Sequence, residues 1–178
     1  MIILFDEYPY YIEKAREDNF GIALLSRFNI KNQTLLDYNY KYPPFIISEI
    51  MIGEHWIPLI FLHALPPSKL FFYKNRNDQL DIISKTIYNN NWQETLIIIG
   101  DLNMTSWSNV FKRFINRHNL IDSRKGFGIH PTWPYEIGSI RITIDHCLVT
   151  KNIKVLEHQV GNYIGSDHLP IFVRIGIK

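Results

Sequence analysis

Apolar residues gather in short runs along most of the chain, and the composition of these runs predicts β-strands. The runs are rich in Ile, Val, Leu and Phe and are bounded by Gly, Pro, Asn or charged residues, as buried strands usually are. Glu49 and Glu54 alternate with apolar neighbours, which favours a half-exposed strand there. The predicted strands are residues 21–26, 44–52, 57–65, 95–101, 142–150 and 170–177.

Two segments have the spacing of amphipathic helices. In residues 77–88, apolar side chains recur three or four positions apart. In residues 108–118, an apolar stripe follows Ser108, which is a favoured residue at a helix N-cap. Strands with helices packed outside them predict a layered α/β fold, in a single domain over residues 1–178.

Composition and charge narrow the class of protein. The 178 residues are 46% hydrophobic and 20% charged, which is ordinary for one globular domain. The net charge of +2 is too small to indicate nucleic-acid binding by bulk electrostatics, so a phosphate-bearing partner would need a local site. No apolar run approaches the roughly 18 to 20 residues of a membrane span. The start lacks the basic region of a signal peptide, so we expect a soluble protein, cytoplasmic by default.

Polar side chains of a few types gather where the predicted strands begin or end. A histidine closes one apolar run, an acid and an amide close another, and acid–histidine pairs stand in two later motifs. Because residues two apart on an extended chain point to the same face, Asp101 and Asn103 can reach one ligand. The candidate residues are His63, Asp101, Asn103, Asp145, Asp167 and His168.

These residue types suit a metal-dependent reaction. Mg²⁺ takes oxygen ligands, few of them from the protein, and keeps waters and substrate phosphates in its other positions. Imidazole titrates near neutral pH, so the histidines can act as base or acid. Each residue also has a simpler explanation, since Asp or Asn after a strand often makes a turn. It is their joint occurrence that favours a functional site.

Three motifs in this order resemble the signature of the endonuclease/exonuclease/phosphatase superfamily. They are GDLNMTSWS, IDHCLVT and GSDHLPI, which begin at Gly100, Ile144 and Gly165. The segments FGIALLSR, FLHALPP, RNDQLDII and HPTWP match further parts of the family, so the resemblance covers nearly the whole chain. The family includes pancreatic-type deoxyribonuclease, apurinic endonucleases, neutral sphingomyelinases and inositol polyphosphate 5-phosphatases.

The resemblance implies a four-layered α/β sandwich, in which two β-sheets face each other and helices pack outside them. It also implies nuclease-like hydrolysis of a phosphodiester or phosphomonoester that depends on Mg²⁺ or Mn²⁺. Nucleic acid, phospholipid and inositol phosphates are all hydrolysed on this scaffold, and the fold does not select among them.

The motifs carry residue roles over from the family. His168 would be the general base or transition-state stabiliser, and Asp145 would orient it. Asp101 would position or activate the attacking water, and Asn103 would hold the scissile phosphate. His63 would contact the phosphate or help the leaving group, and Asp167 would bind the metal.

Relative to the family, the sequence is expected to be incomplete at its N-terminus. Family members begin with two further strands, of which the second ends in a metal-binding Glu. The chain is therefore interpreted either as a fragment of a longer enzyme or as a short, weakened relative. The alternative function is a catalytically inactive binding or interaction module with the same fold.

Missing strands would leave the strand at residues 170–177 without its usual neighbour. Unpaired buried backbone groups cost about 1 to 3 kcal/mol each. We therefore expect self-association through this edge, or a replacement strand formed by residues 1–5 in the place of the missing neighbour.

Three residues near the motifs have less specific interpretations. Trp133 could form a wall of the substrate pocket or pack in the core. Trp107 is expected to pack the following helix onto the sheet, and Arg124 could contact phosphate or lie on a solvated surface.

Overall fold

The computed structural model describes residues 7–38, 42–137 and 140–177. Its strands are β1 Tyr10–Lys14, β2 Ile22–Ser26, β3 Ile30–Leu36, β4 Phe45–Ile52, β5 His55–His63, β6 Ile97–Asp101, β7 Ile121–Asp122, β8 Asp145–Val149, β9 Ile153–Val160 and β10 Ile171–Ile177. Helix α1 spans Leu70–Asn89, between β5 and β6, and helix α2 spans Asn109–Arg117, between β6 and β7. Across the described ranges, no helix combines the length and the apolar character that crossing a bilayer requires.

The largest sheet has six strands in the order β3-β4-β5-β6-β8-β7. Its β5–β6 pair is parallel and its other pairs are antiparallel. The parallel pair requires a crossover, which α1 provides. Two further antiparallel pairs, β1–β2 and β9–β10, form separate small sheets.

The pleat of the six-stranded sheet separates two apolar layers. Ile98 and Leu148 face one side, where α1 and α2 pack with residues such as Ile83. Ile97 and Val149 face the other side, which is covered by apolar side chains of β1, β2, β9 and β10. Side chains alternate between faces along a strand, so both layers come from the same apolar runs. The α/β sandwich with two facing β layers is confirmed.

The predicted elements are present with shifted bounds. The six predicted strands correspond to β2, β4, β5, β6, β8 and β10. Strands β1, β3, β7 and β9 were not predicted, because polar residues occupy many of their positions or they are very short. Helix α1 begins at Leu70 rather than at residue 77, since Leu70 and Phe71 are exposed and add no apolar stripe. Helix α2 has the predicted N-cap, in which Ser108 Oγ accepts a hydrogen bond from the Phe111 N–H.

Strand β10 pairs with β9 along its length. Among the described residues no second strand pairs with it. Residues 1–5, the expected replacement strand, lie outside the described ranges. Self-association through this edge therefore stays a prediction.

Candidate active site

Three neighbouring strands of the six-stranded sheet bring three candidate residues into one row. His63 lies opposite Asp101 across β5–β6, and Asp101 lies opposite Asp145 across β6–β8. Because residues paired across a sheet point to the same face, the three side chains stand side by side. They share the face of Ile99 and Cys147, which packs against the second layer of strands. The row therefore lies at the end of the space between the two layers.

Gly100 allows β6 to approach β5 closely enough for this row to form. Its φ is +145°, in a region that glycine adopts far more readily than other residues. A Cβ atom built on Gly100 would lie 1.8 Å from the carbonyl oxygen of Leu62. Only glycine fits before Asp101 at that distance.

His168 reaches the row from the segment that precedes β10. Its Nδ1 forms a 2.9 Å hydrogen bond with Asp145 Oδ2, and its Nε2 lies 3.9 Å from Asp101 Oδ2. Burial lowers the pKa of His168, but the hydrogen bond and charge of Asp145, with the charge of Asp101, outweigh it. The pKa of His168 is therefore raised above its ordinary value, which favours the protonated imidazole.

Residues 132–135 fix the segment that carries His168. The Leu169 N–H donates to the Thr132 carbonyl at 2.9 Å, and the Tyr135 N–H donates to the Asp167 carbonyl at 2.8 Å. Trp133 Nε1 donates to Asp167 Oδ2 at 3.0 Å. Of the two interpretations of Trp133, the structure supports the wall of the pocket, because its indole binds a candidate residue there.

Asn103 meets Asp101 through a turn and not through strand alternation. Strand β6 ends at Asp101, and Asn103 has a φ of +47°. Its N–H donates to Asp101 Oδ1 at 2.7 Å, and its Nδ2 donates to Asp101 Oδ2 at 3.1 Å and to the Ala64 carbonyl at 2.8 Å. The prediction that the two side chains lie together is confirmed, but the predicted reason for it was wrong.

The electrostatics of the row set the protonation of its members near neutral pH. Burial, followed by the negative charge of Asp145, raises the pKa of Asp101 to about 7. Burial, followed by the charge of His168, lowers the pKa of His63, whose Nε2 lies 3.5 Å from Asp101 Oδ2. The pocket thus combines the imidazole of His63, whose pKa is lowered, the carboxyl group of Asp101, which can take up or release a proton near neutral pH, and the imidazole of His168, whose pKa is raised.

All six candidate residues line one open pocket of about 490 Å³. Sequence patterns did not single out Asn19 and Phe20, which also line it. The Phe20 ring lies 4.7 Å from the His63 ring, measured between centroids. Asn19 and Phe20 directly precede a predicted strand, which indicates that they lie at one end of it. Only the packing of β1–β2 against the sheet shows that this end is at the pocket. Pro66, Trp133, Ile144 and Ser166 complete the lining.

The donors in this pocket fit a divalent cation. Ligand atoms of Asp101, Asp145 and His168 lie within 4.8 Å of one another. Asp167 lines the same pocket, and its charge adds to the rise in the pKa of Asp101. The negative charges of Asp145 and Asp167 both raise the pKa of Asp101, and a bound cation would relieve this repulsion. Oxygen-rich donors of this kind suit Mg²⁺ or Mn²⁺.

The structure contradicts the packing expected of Trp107 and the solvated surface considered for Arg124. Arg124 is buried, because it pairs with Asp122 and donates to Ser106 Oγ at 3.1 Å. Trp107 is 64% exposed and does not pack α2 onto the sheet, since Phe111 and Phe114 already fill that contact.

The chain is similar to known proteins in sequence profile and in fold. Residues 3–168 match the sequence profile of the Endonuclease/Exonuclease/phosphatase family. No curated protein gives a significant match. Similar solved structures include an endonuclease/exonuclease/phosphatase from Beutenbergia cavernae, with 17% identity and a TM-score of 0.73 over 88% of this chain. A mannosyl-6-phosphatase from Bacteroides thetaiotaomicron has 18% identity and a TM-score of 0.70 over 94% of the chain.

A third similar structure is sphingomyelinase C from Streptomyces griseocarneus, with 15% identity and a TM-score of 0.66 over 96% of this chain. The chain spans 47% of the Beutenbergia protein and 77% and 78% of the other two. At these identities, the structural likeness shows the shared fold.

Proposed function

Because the chain belongs to the endonuclease/exonuclease/phosphatase family, we propose that it hydrolyses a phosphodiester or phosphomonoester in the pocket of about 490 Å³, with Mg²⁺ or Mn²⁺ as cofactor. The observation that carries the proposal is the hydrogen bond between His168 and Asp145 beside the carboxyl group of Asp101. The ends of these strands do not need such a cluster of ionisable groups for stability, since clustered carboxylates cost free energy.

His168 and Asp145 act as a unit in this proposal. The Asp145 carboxylate holds Nδ1, which directs Nε2 toward Asp101 and the pocket. The raised pKa of His168 favours the imidazolium form, so its proposed role is to stabilise negative charge on the phosphoryl oxygens. Of the two roles implied by the family, transition-state stabiliser is therefore the better supported.

Asp101 and its neighbours handle the water and the phosphate. With a pKa of about 7, the Asp101 carboxyl group can accept a proton from the attacking water near neutral pH. The Asn103 side chain lies beside it and is proposed to hold the scissile phosphate, for which one Nδ2–H would turn from Asp101 to a phosphoryl oxygen. The neutral His63 imidazole on the other side of Asp101 is proposed to contact the phosphate or the leaving group.

Asp167 is proposed to hold the divalent cation, in the pocket that the carboxylates of Asp101 and Asp145 also line. When bound, such a cation neutralises charge on the phosphoryl oxygens and lowers the pKa of coordinated water. Trp133 keeps the Asp167 carboxylate in place through its indole N–H.

The substrate class is tested by a panel. The structurally similar proteins carry the names of a mannosyl-6-phosphatase and a sphingomyelinase C, and the family name itself includes nucleases and phosphatases. Nucleic acid, phospholipid, inositol phosphate and sugar phosphate are therefore the candidates, beside the simple esters bis(p-nitrophenyl) phosphate and p-nitrophenyl phosphate.

The deciding experiment measures hydrolysis of this panel with Mg²⁺, with Mn²⁺ and with EDTA. We expect activity that EDTA abolishes and that falls about 10²-fold or more in His168→Ala. His55→Ala is the matched control, because His55 is an exposed histidine at the other end of β5. Activity that withstands both EDTA and His168→Ala would refute the proposal. A folded protein without activity on the whole panel would favour the inactive binding module.

A further inference from the structure

Two consecutive carbonyl groups after Asp101 are held by buried side chains from different elements. Arg76 on α1 donates from a terminal guanidinium nitrogen to the Asn103 carbonyl at 3.1 Å. His146 on β8 contacts the Met104 carbonyl through Nε2 at 2.7 Å. Because a carbonyl oxygen only accepts, His146 Nε2 must carry a hydrogen. Both side chains are almost completely buried, at 3% and 0% exposure.

His146 lies on the opposite face of β8 from Asp145. The strand alternation that sends Asp145 into the pocket sends the next residue toward the helices, where its ring packs 4.6 Å from the Phe111 ring. Its Nδ1 lies 3.2 Å from Asp122 Oδ2. Asp145 and His146, adjacent residues of the motif IDHCLVT, thus lie on the two opposite faces of the sheet at the pocket.

The backbone they hold is one that needs support. Asn103 has a φ of +47°, and a left-handed residue other than glycine costs about 1 kcal/mol or more unless its surroundings favour it. In this conformation of the turn, the N–H and Nδ2 of Asn103 both donate to the Asp101 carboxylate. A displacement of the backbone at Asn103 would move its side-chain amide away from the carboxylate.

Stability alone gives a poor reason for Arg76. Its guanidinium is buried, and among the described residues its Nε has no hydrogen-bond partner. The guanidinium lies 5.1 Å from the centroid of the Tyr73 ring, but burial of an incompletely paired polar group still costs free energy.

We infer that Arg76 and His146 are positioning residues, which fix the Asn103 and Met104 carbonyls and thereby hold the Asn103 amide in the phosphate-ester site. The inference rests on the proposed function for its catalytic consequence. Its structural content, the orientation of Asn103, can be measured without any activity.

Gln79 provides a matched control on the same helix. It is buried, lies one helical turn after Arg76 and also donates to a loop carbonyl, that of Pro43, at 3.1 Å. Its Oε1, like Arg76 Nε, is a buried atom without a hydrogen-bond partner among the described residues. Gln79→Met therefore reproduces the loss of a buried donor but leaves the Asn103 turn intact.

The first measurement is kinetic and uses the full chain with the best substrate of the panel. In Arg76→Met we expect kcat to fall about 10- to 100-fold with KM little changed, because supporting residues of a site typically have effects of this size. Gln79→Met should lower the melting temperature without lowering kcat. Equal losses of kcat in the two variants would overturn the inference, since Arg76 would then act through folding alone.

The second measurement uses nuclear magnetic resonance on the metal-free protein. We expect the backbone and side-chain amide signals of Asn103 to shift or broaden in Arg76→Met and to stay in place in Gln79→Met. Unmoved Asn103 signals in Arg76→Met would overturn the inference even if the enzyme is active. If the wild type is inactive, the proposed function fails and this measurement still decides the positioning role.

Conservative variants guard against loss of the fold. Arg76→Lys keeps a positive charge on an apolar stem but loses the fork of donors, so kcat should lie between those of Arg76→Met and the wild type. His146→Gln keeps a donor for the Met104 carbonyl, whereas His146→Leu removes it. We expect His146→Gln to retain more kcat than His146→Leu, and the reverse order would contradict the role of His146.

Discussion

The 2.9 Å hydrogen bond between His168 Nδ1 and Asp145 Oδ2 joins the segment before β10 to the six-stranded sheet. The two residues are 23 positions apart in the chain, and His168 lies in the segment that leads into β10 of the second layer. Their contact fixes the ring of His168 over the end of β6. The charge state of this imidazole therefore depends on how the two layers pack.

Asp145→Asn should lower the pKa of His168. The wild-type pKa is raised because the hydrogen bond and charge of Asp145, with the charge of Asp101, outweigh burial, and the substitution removes the carboxylate. The ring signals of His168 in the metal-free protein, followed by nuclear magnetic resonance across pH, check this. Asp81→Asn is the control, because Asp81 is an exposed acid on α1. An unchanged His168 titration in Asp145→Asn would show that the two layers do not meet as described.

Asp101→Asn should stabilise the metal-free protein at pH 8. The pKa of Asp101 is raised from 3.8 to about 7, chiefly by burial and then by Asp145, so the unfolded state loses this proton more easily than the folded state. The penalty is absent below the unfolded pKa, grows as the pH rises toward 7 and stays constant above it. A shift of this size corresponds to a gain of about 2 to 4 kcal/mol in the free energy of unfolding.

Urea unfolding in EDTA at pH 8 and pH 5 measures this gain. The advantage of Asp101→Asn should be smaller at pH 5, where the wild-type carboxyl group is protonated in the folded state. A variant that is less stable than the wild type at pH 8 would contradict the environment described for Asp101. Greater stability with lost activity would also fit a residue retained for chemistry and not for folding.

Local sequence patterns predicted which residues line the candidate site, but they predicted little of how these residues are arranged. The family resemblance is confirmed by the match over residues 3–168. His63 and Asp101 could be found because each closes an apolar run, and Asp145 could be found because it lies in the motif IDHCLVT. Their alignment depends on the register across β5, β6 and β8, which side-chain periodicity within one strand does not determine.

Other contributors carry no local signal. Arg76 stands among polar residues at the start of a helix whose apolar stripe begins later, so its burial against the Asn103 turn depends on tertiary packing. His146 follows Asp145 directly, and only the pleat separates a residue of the pocket from one of the helix-facing core. Phe20 enters the pocket because β1–β2 packs over the sheet.

His158 should make the protein less stable as the pH falls from 6.5 toward 4. Burial, followed by the charge of His130, lowers the pKa of His158 to about 4, so protonation favours the unfolded state. The stability is fully present above pH 6.5 and declines by up to about 3 kcal/mol before levelling below pH 4. Arg124 and His146 add positive charge nearby and Asp122 opposes it.

His158→Asn removes the titrating group and is the variant that isolates this effect. Its free energy of unfolding should change less between pH 6.5 and pH 4.5 than that of the wild type. The comparison uses the slope and not the absolute value, because the substitution also alters the bond between His158 Nδ1 and Ser123 Oγ. Equal slopes for the two proteins would mean that other groups cause the acid sensitivity.

Gly100→Ala should be the most damaging glycine substitution in the described part of the chain. A Cβ atom at this position would lie 1.8 Å from the Leu62 carbonyl oxygen, and backbone on both sides of the clash cannot rotate away as a side chain would. Relief requires β5 and β6 to separate where His63 and Asp101 are paired. We expect a loss of more than about 3 kcal/mol in the free energy of unfolding, measured by urea denaturation.

Gly53→Ala separates the clash from the cost of the backbone conformation. Gly53 has a φ of +61°, but an added Cβ atom would have no described neighbour within 4 Å, so only the left-handed conformation is penalised, by about 1 to 2 kcal/mol. Gly176→Ala, whose added Cβ would meet only the flexible Leu156 side chain, should cost least. If Gly100→Ala cost no more than Gly53→Ala, β5 and β6 could separate easily at this point. The row of His63, Asp101 and Asp145 would then not be rigidly aligned by the sheet, and the proposed site would lose its structural basis.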